Sequence, residues 1–413
     1  MIKRIKQALY FPIASYFRFF AQIKLAGWNP KIIAITGSSG KTTLLHLIES
    51  QLGNKAKYSH HANSSYGIPF NLLGLNRNKL TPDEWIGLFL LAPFKAFKSV
   101  PYEKLYIVEA DCDRPGEGKF LASLLNPEIT LWISSSLTHS VNFDSLVNNK
   151  HFASAEEAIK LAIVNGDNPL MIKEAKKFKV PIEVVDKKGL ESYRIDENST
   201  EFIIEHKKYS INFLVPKDVY YSIQMTNLLM KTLSLPFDLT FKNLILPPGR
   251  NIVFQGIKNT TIIDSTYNAT PDGVKNILEM FEKYPAKNKS STDSVLDKWI
   301  VLGDMIELGI REKKEHEKLA TFINSMNLSK IVLIGPRVSK YTYPKLKNAE
   351  KFDMPKDGLD YILKNINGGE VILFKGARFL EGIIEHLLQN KKDVNKLVRR
   401  EIVWQNRRKA WGI

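Results

Sequence analysis

Apolar positions along the chain fall into short continuous runs separated by stretches of helical period. The runs at 32–36, 105–109, 128–133, 261–264, 299–302, 330–334 and 371–374 are apolar at consecutive positions, as buried strands are. Between them, residues 117–126, 272–283, 311–325 and 378–389 place apolar side chains three and four apart, the spacing of one helix face. This alternation predicts an α/β protein with mostly parallel sheets covered on both faces. Residues 191–215 break the alternation, because two period-two patterns flank His206-Lys207-Lys208 and predict a small antiparallel hairpin. Pro236, Pro247 and Pro248 mark a boundary, and a polar linker runs from 285 to 294. The expected division is a basic segment 1–30, an α/β domain 31–240 that includes the antiparallel element, a Rossmann-like α/β domain 241–390 and a basic tail 391–413.

Composition narrows the class. The chain has 413 residues, 44% hydrophobic and 25% charged, an ordinary globular balance with room for two or three cores. Its single cysteine, Cys112, excludes an internal disulfide and a multi-cysteine zinc site. The net charge of +16 is partly terminal: residues 1–31 carry Lys3, Arg4, Lys6, Arg18, Lys24 and Lys31 with no acid, and 391–413 carry eight Lys or Arg against Asp393 and Glu401. Such ends suit anionic lipid, nucleic acid or a polyanionic substrate, or simply a solvated surface. Ile2, Ile5, Leu9, Ile13 and Phe17 recur at three- and four-residue steps among these cations. That pattern fits an amphipathic helix lying on an anionic membrane, or one packed against the next domain. The apolar stretch 8–17 contains Pro12, lacks a cleavage site and is too short to span a bilayer. The expectation is a cytoplasmic, monomeric protein with a possible peripheral membrane contact through 1–31 and no nucleic-acid partner.

One segment carries explicit chemistry. Gly37-Ser38-Ser39-Gly40-Lys41-Thr42-Thr43 lies between a predicted strand and a predicted helix, a phosphate-binding loop in which backbone N–H groups face an anion. Lys41 would reach the terminal phosphates of ATP and the Thr42 hydroxyl would hold Mg²⁺. Glu109 and His139 each end a predicted strand, where open α/β sheets bind ligands, and a carboxylate with an imidazole suits a second Mg²⁺. Asp111 and Asp113 beside Glu109 are expected to be solvated or to cap the next helix.

The loop T-G-x-x-G-K-T-T, with two residues between its glycines, resembles that of the Mur ligase family and of folylpolyglutamate synthases. Further segments match the same family in order: NSSYGIP at 63–69, YIVEADCDRPGE at 106–117, NPEITLWISSSLTHSVNF at 126–143 and NGDNP at 165–169. PPGR at 247–250, IIDSTYNATPDG at 262–273, VLGDMIELG with His316 downstream, and FKGAR at 374–378 resemble its D-alanyl-D-alanine-adding branch. The resemblance implies a P-loop ATPase domain followed by a Rossmann-like domain, and an enzyme that phosphorylates a carboxylate with ATP and lets an amine displace the phosphate. It implies Lys41, Glu109, His139 and His316 as catalytic groups, and metal contacts at Thr42, Glu109 and His139. ATP would meet residues 37–43 together with Gln224, Arg250, Asp264, Tyr267 and Asn268. Substrate would meet Asn63, Asp304, Lys375 and Arg378, a cationic pair suited to a carboxylate. The implied partners are a small-molecule or lipid-linked peptide precursor and an amino acid or dipeptide.

Three departures qualify it. Only 36 residues precede Gly37, too few for the domain that holds the UDP part of the usual substrate. The helix FASAEEAIK lacks the lysine that most relatives carbamylate, so Glu156 or Glu157 is the expected direct replacement, and Glu156 joins the catalytic set. Phe143 is retained, but Val141 stands where relatives carry an acid. A folylpolyglutamate-type ligase, an amidating ligase and a degenerate ATP- or precursor-binding module are the alternatives; the amidating relatives carry a four-cysteine zinc insert that is absent here.

Overall fold

The computed structural model describes residues 9–77, 82–112, 114–135, 160–285 and 297–413. It divides into two compact units. Among described residues the first takes the chain to Lys188 and then Val219–Asp238; the second takes Gly189–Asp218 and Leu239–Ile413. His139, Glu156, Glu157, Val141, Phe143 and Asp113 lie outside the described residues, as do Ile2 and Ile5.

The first unit opens with helix α1 (Tyr10–Trp28), followed by β1 (Lys31–Gly37), α2 (Lys41–Leu52), β2 (Ala56–Tyr58), α3 (Gly67–Leu73) and α4 (Pro82–Ala96). Then come β3 (Leu105–Ala110), α5 (Glu117–Leu125), β4 (Ile129–Ser134), β5 (Leu161–Asn165), α6 (Pro169–Ala175) and β6 (Ile182–Val185). The six strands form one sheet in the order β2-β3-β1-β4-β5-β6, every pair parallel. Parallel strands are screened on both faces, which is why β1 is buried from Ile32 to Gly37 without alternation.

Helix α1 settles one of the two readings of the N-terminal pattern for its described part. Ala14, Phe17, Ala21, Leu25 and Trp28 are all buried, at steps of three and four, in the core shared with α3 and α4. Of the five apolar positions singled out in the sequence, Phe17 is thus internal, Ile13 half-buried and Leu9 exposed. Pro12 sits in the first turn, where no intrahelical N–H is needed, so it does not interrupt the helix. Lys24 is buried and donates to the carbonyls of Lys95, Lys98 and Ser99 at 3.1, 2.9 and 2.9 Å, closing the end of α4. Pro93 inside α4 cannot donate to the carbonyl of Phe89; the Tyr16 hydroxyl donates to it instead at 2.7 Å.

The antiparallel element has three strands, not two: β7 (Leu190–Ile195), β8 (Thr200–Ile204) and β9 (Lys207–Ile211), in that order. The expected turn holds, with Glu205 and His206 at φ 48° and 62°, the left-handed pair of a tight hairpin. The first apolar run splits in two because the polar segment Asp196–Ser199 makes a second turn, closed by Asp196 N–H on the Ser199 carbonyl at 2.9 Å. The sheet contributes Ile195, with Leu214 beyond it, to a core of the second unit. The chain then returns to the first unit as α7 (Val219–Thr232), whose apolar face lies against α2.

The second unit continues with β10 (Ile252–Gln255), β11 (Thr261–Ser265), α8 (Pro271–Glu282), β12 (Lys298–Gly303), α9 (Glu312–Ile323) and β13 (Lys330–Ile334). It ends with β14 (Glu350–Phe352), α10 (Pro355–Asn365), β15 (Val371–Lys375), α11 (Leu380–Leu387) and α12 (Ile402–Lys409). Its sheet runs β10-β11-β15-β12-β13-β14 and is parallel apart from β10. α8 and α9 cover one face, α10 and α11 the other. Part of the basic tail is paired within the unit: Arg399 pairs with Glu381 at 3.2 Å, and Arg400 and Arg408 pair with Glu385 at 2.7 and 2.9 Å.

Candidate active site

The loop between β1 and α2 is shaped by glycine. Gly37 has φ 143° and Gly40 φ 82°. A Cβ on Gly37 would stand 2.9 Å from the backbone N and O of Ser134, so only glycine lets the loop lie against the end of β4. Ser134 fastens it further: its Oγ accepts from Ser39 N–H and donates to the Ser39 carbonyl, both at 2.8 Å, and its carbonyl accepts from Ser38 N–H at 3.3 Å. The loop delivers Lys41, Thr42 and Thr43 to the first turn of α2, where main-chain N–H groups and the helix dipole attract an anion.

Of the side chains expected to work together, Thr42 and Glu109 are in contact, while Lys41 meets the neighbouring Asp111. The Lys41 ammonium donates to the Gly37 carbonyl at 2.6 Å and pairs with Asp111 at 3.3 Å. Thr42 Oγ1 donates to Glu109 Oε2 at 2.9 Å, and Glu109 N–H donates to Ser59 Oγ at 2.9 Å. A hydroxyl and a carboxylate oxygen at this spacing are the hard donors Mg²⁺ takes, so the residues present fit that ion. Asn63 belongs to the same cluster, its carbonyl accepting Asp111 N–H at 2.7 Å and its amide 3.4 Å from Asp111 Oδ2. Its loop is anchored by Glu117, only 1% exposed, which accepts from Ser65 N–H and Oγ at 2.9 and 2.8 Å and from the Tyr10 hydroxyl at 3.1 Å. Gln224 is buried on α7. A cavity of about 840 Å³ lies beside the Asn63 loop, lined among others by Tyr10, His60, Ser64, Tyr66, Arg77 and Trp85.

Asp111 is the residue that sequence reasoning undervalued. It caps no helix, since Gly116 stands at the N-cap of α5; one oxygen accepts Cys112 N–H at 3.0 Å and the other meets Lys41. Alternate positions of a strand share a face, so Glu109 and Asp111 both turn toward the loop; that spacing was the available signal.

The second unit gathers its candidates into two groups. Arg250 stacks over the Tyr267 ring at 4.3 Å, with Tyr267 and Asn268 exposed. Behind them Asp264 is fully buried; one oxygen accepts from Thr266 N–H and Oγ1 at 3.0 and 2.7 Å, and the other has no hydrogen-bond partner. Burial raises its carboxyl above the ordinary range, against the pull of Arg399 and Lys375. Lys375, on the neighbouring strand, is pushed down from 10.5 to about 7 by burial and then by Arg250, while Asp264 opposes the change.

Lys375 therefore predicts a pH effect. Between pH 7 and 10.5 the unfolded chain keeps this proton while the folded chain has lost it, so stability rises with pH through that window and is level below it. Urea unfolding of the wild type and Lys375→Met from about pH 6.5 to pH 10 should show the rise only in the wild type; parallel curves would remove Lys375 as its source.

The other group is centred on Asp304, which is fully buried. Its Oδ1 accepts from Arg337 and Val338 N–H at 2.9 Å each, and its Oδ2 accepts from Arg378 Nε at 2.7 Å. Arg378 adopts φ 83°, unusual for a side-chain-bearing residue, and lies over Trp411 at 5.0 Å. The turn before it is tight: a Cβ on Gly303 would fall 1.8 Å from the Ala377 carbonyl oxygen. His316 is buried, its Nδ1 on the Glu312 carbonyl at 2.8 Å and its Nε2 accepting Met305 N–H at 3.3 Å. Burial lowers its pKa, and both ring nitrogens are taken by backbone. In this arrangement the imidazole of His316 ties the Met305 N–H to the Glu312 carbonyl. Arg337, which also pairs with Glu312, was absent from the candidates because no motif marks it.

Comparison with known proteins bears on both units. Residues 35–228 match the Mur ligase middle domain, and residues 249–378 match the Mur ligase glutamate ligase domain. The UDP-N-acetylmuramoyl-tripeptide–D-alanyl-D-alanine ligase of Buchnera aphidicola is 24% identical over 400 residues, covering 89% of this chain and 80% of its own. The protein of the same name from Bacillus subtilis is 23% identical over 410 residues, covering 90% and 78%. Among solved structures, the MurF ligase from Thermotoga maritima in complex with ADP superposes with a TM-score of 0.71 at 22% identity, covering 93% of this chain and 84% of that one. At that identity the superposition speaks for the fold.

Proposed function

The chain belongs to the Mur ligase family, and from that premise we propose that it joins D-alanyl-D-alanine to the carboxylate of a peptide-bearing cell-wall precursor. It is an ATP-dependent amide-bond ligase that uses Mg²⁺. The observation that carries the site assignment is the contact network at the sheet edge, in which Lys41–Asp111 and Thr42–Glu109 converge on the N-terminus of α2.

In this reading Lys41 exchanges Asp111 and the Gly37 carbonyl for the terminal phosphates of ATP. The loop N–H groups and the start of α2 hold the same phosphates. Mg²⁺, held by Thr42 and Glu109, would screen phosphate charge. The acceptor carboxylate attacks the γ-phosphorus and ADP leaves; the amine then attacks the acyl phosphate, losing a proton as phosphate departs. Asn63 orients the acceptor from its tethered loop. Arg250, Asp264, Tyr267 and Asn268 are proposed as nucleotide contacts carried by the second unit. Lys375 and Arg378 are the proposed contacts for a substrate carboxylate, Arg378 being oriented by Asp304. His139 as a further metal contact, and Glu156 or Glu157 in place of a carbamylated lysine, complete the proposal.

The test is ADP release by the full chain with Mg²⁺, a muramoyl tripeptide precursor and D-alanyl-D-alanine, with and without added bicarbonate. Release that needs both substrates and ignores bicarbonate is expected. Release driven by another amine, such as glutamate, would favour a folylpolyglutamate-type ligase, and ATP binding with no turnover would favour a non-catalytic module. A monomeric state, a cytoplasmic location and a membrane contact through residues 1–31 are further proposals. Sedimentation velocity tests the first, fractionation of cells the second and the vesicle assay below the third. Among the described residues, no helix is long and apolar enough to cross a membrane.

A further inference from the structure

Among the described residues, nothing covers the outer face of helix α4. Its inner face, with Leu88, Ala92 and Ala96, joins the core against α1, and Trp85 and Phe89 pack with Phe17. The opposite side carries Ile86, Leu90 and Phe94 at four-residue steps, 65%, 64% and 71% exposed, with Leu91 beside them. The ridge continues past the helix through Phe97 and Tyr102, each 76% exposed. An exposed leucine needs no explanation by itself, but a continuous apolar ridge on one short element marks an interaction surface.

Charge indicates what covers it. Between residues 85 and 102 the only charged side chains are Lys95 and Lys98, with no acid. They are joined by Lys24 and Lys57, close enough that Lys24, lowered first by burial, is lowered further by all three. An apolar ridge ending in a cluster of ammonium groups complements a surface that is apolar below and anionic above.

We propose that the outer face of α4 and the turn after it (Ile86, Leu90, Phe94, Phe97 and Tyr102) sits in the headgroup region of an anionic lipid bilayer, with Lys95 and Lys98 at the level of the lipid phosphates. The helix is built to bear that load. Lys24 closes its C-terminal carbonyls and Tyr16 satisfies the carbonyl that Pro93 leaves unpaired, so the ridge is presented by a fixed element. Trp85 of the same helix lines the cavity beside the Asn63 loop. Resting on the ligase reading above, an enzyme held at the bilayer in this way would meet a lipid-linked precursor. Binding to the bilayer itself does not depend on that reading.

The experiment is co-sedimentation of the full chain with vesicles of phosphatidylcholine, with and without about one third phosphatidylglycerol. A quadruple variant, Ile86→Ser, Leu90→Ser, Phe94→Ser and Phe97→Ser, changes only exposed side chains. Wild-type protein should bind the anionic vesicles and release in about 0.5 M salt. The variant should partition at least roughly tenfold more weakly, since each inserted apolar side chain contributes on the order of that factor. Matched thermal unfolding and ATP binding would show that its fold is intact. Binding equal to wild type would overturn the proposal, as would no wild-type binding at all. Loss of binding on changing Lys3, Arg4 and Lys6 to Gln, with the α4 variant unaffected, would assign the contact to the N-terminal segment instead. Wild-type dimers in sedimentation velocity that the variant abolishes, without vesicle binding, would show that a second copy covers the ridge. A failed ligase assay would leave the vesicle result standing, so the two readings fail separately.

Discussion

Lys41→Ala should lower the ligase rate by about two to three orders of magnitude while the protein stays folded. An ammonium aimed at phosphate charge in a water-poor site is worth on the order of 3–4 kcal/mol in the transition state, and 1.36 kcal/mol is tenfold in rate. Structurally the change is milder. The lysine is 6% exposed, and its partners include a loop carbonyl and Asp111, whose side chain is 16% exposed. Loss of that pair should lower stability by only about 1 kcal/mol. ADP release under saturating substrates and a thermal melt separate the two effects. A variant that ligates near the wild-type rate would end the assignment of this loop to ATP, whereas an unfolded variant would mean that Lys41 is needed for the loop itself.

Asp304→Ala carries the largest expected effect on stability. The carboxylate is fully buried and accepts from two backbone N–H groups and from Arg378, with Arg337 Nη1 at 3.5 Å from Oδ2. Removing it leaves two N–H donors and a guanidinium without their acceptor, and breaking a buried charged pair from one side costs about 3–5 kcal/mol. Because Arg378 holds its φ of 83° beside this anchor, a proposed substrate contact should lose its orientation as well. The double variant Asp304→Ala/Arg378→Ala should recover part of the loss, since it also removes the unpaired cation. Urea unfolding of the three variants measures the recovery; full additivity would show that the pair is not coupled.

Much of the fold was legible because parallel strands buried on both faces write themselves as unbroken apolar runs. β1, β3, β4, β11, β12, β13 and β15 all fall where those runs predicted them, within a residue or two. Short or polar-faced strands carried no such mark. β6 is exposed at Glu183 and Val184, and β14 is a three-residue edge strand. β10 pairs antiparallel at the sheet edge, where one side needs no partner. The three-stranded β7–β9 sheet was half seen: its second turn, Asp196–Ser199, carries the turn-forming Asp, Asn and Ser but no glycine or proline to mark a sharp break.

By itself the sequence determined the α/β class, the phosphate-binding loop and the side chains around it. Those follow from local order along the chain: a strand, two glycines and a lysine at the start of a helix. Only the tertiary structure decided which charges are structural. Lys24 and Lys298 look like surface cations, yet each is buried and closes the carbonyls at the end of a helix, α4 and α8 respectively. His316 engages backbone with both ring nitrogens, and Arg399, Arg400 and Arg408 of the tail pair with Glu381 and Glu385. The same step placed the apolar face of α1 in the core and, of the two apolar sides of α4, buried one and left the other outside. Periodicity states that a helix has an apolar face; what that face meets depends on elements remote in the chain, and so does the state of every charge that packing takes out of water.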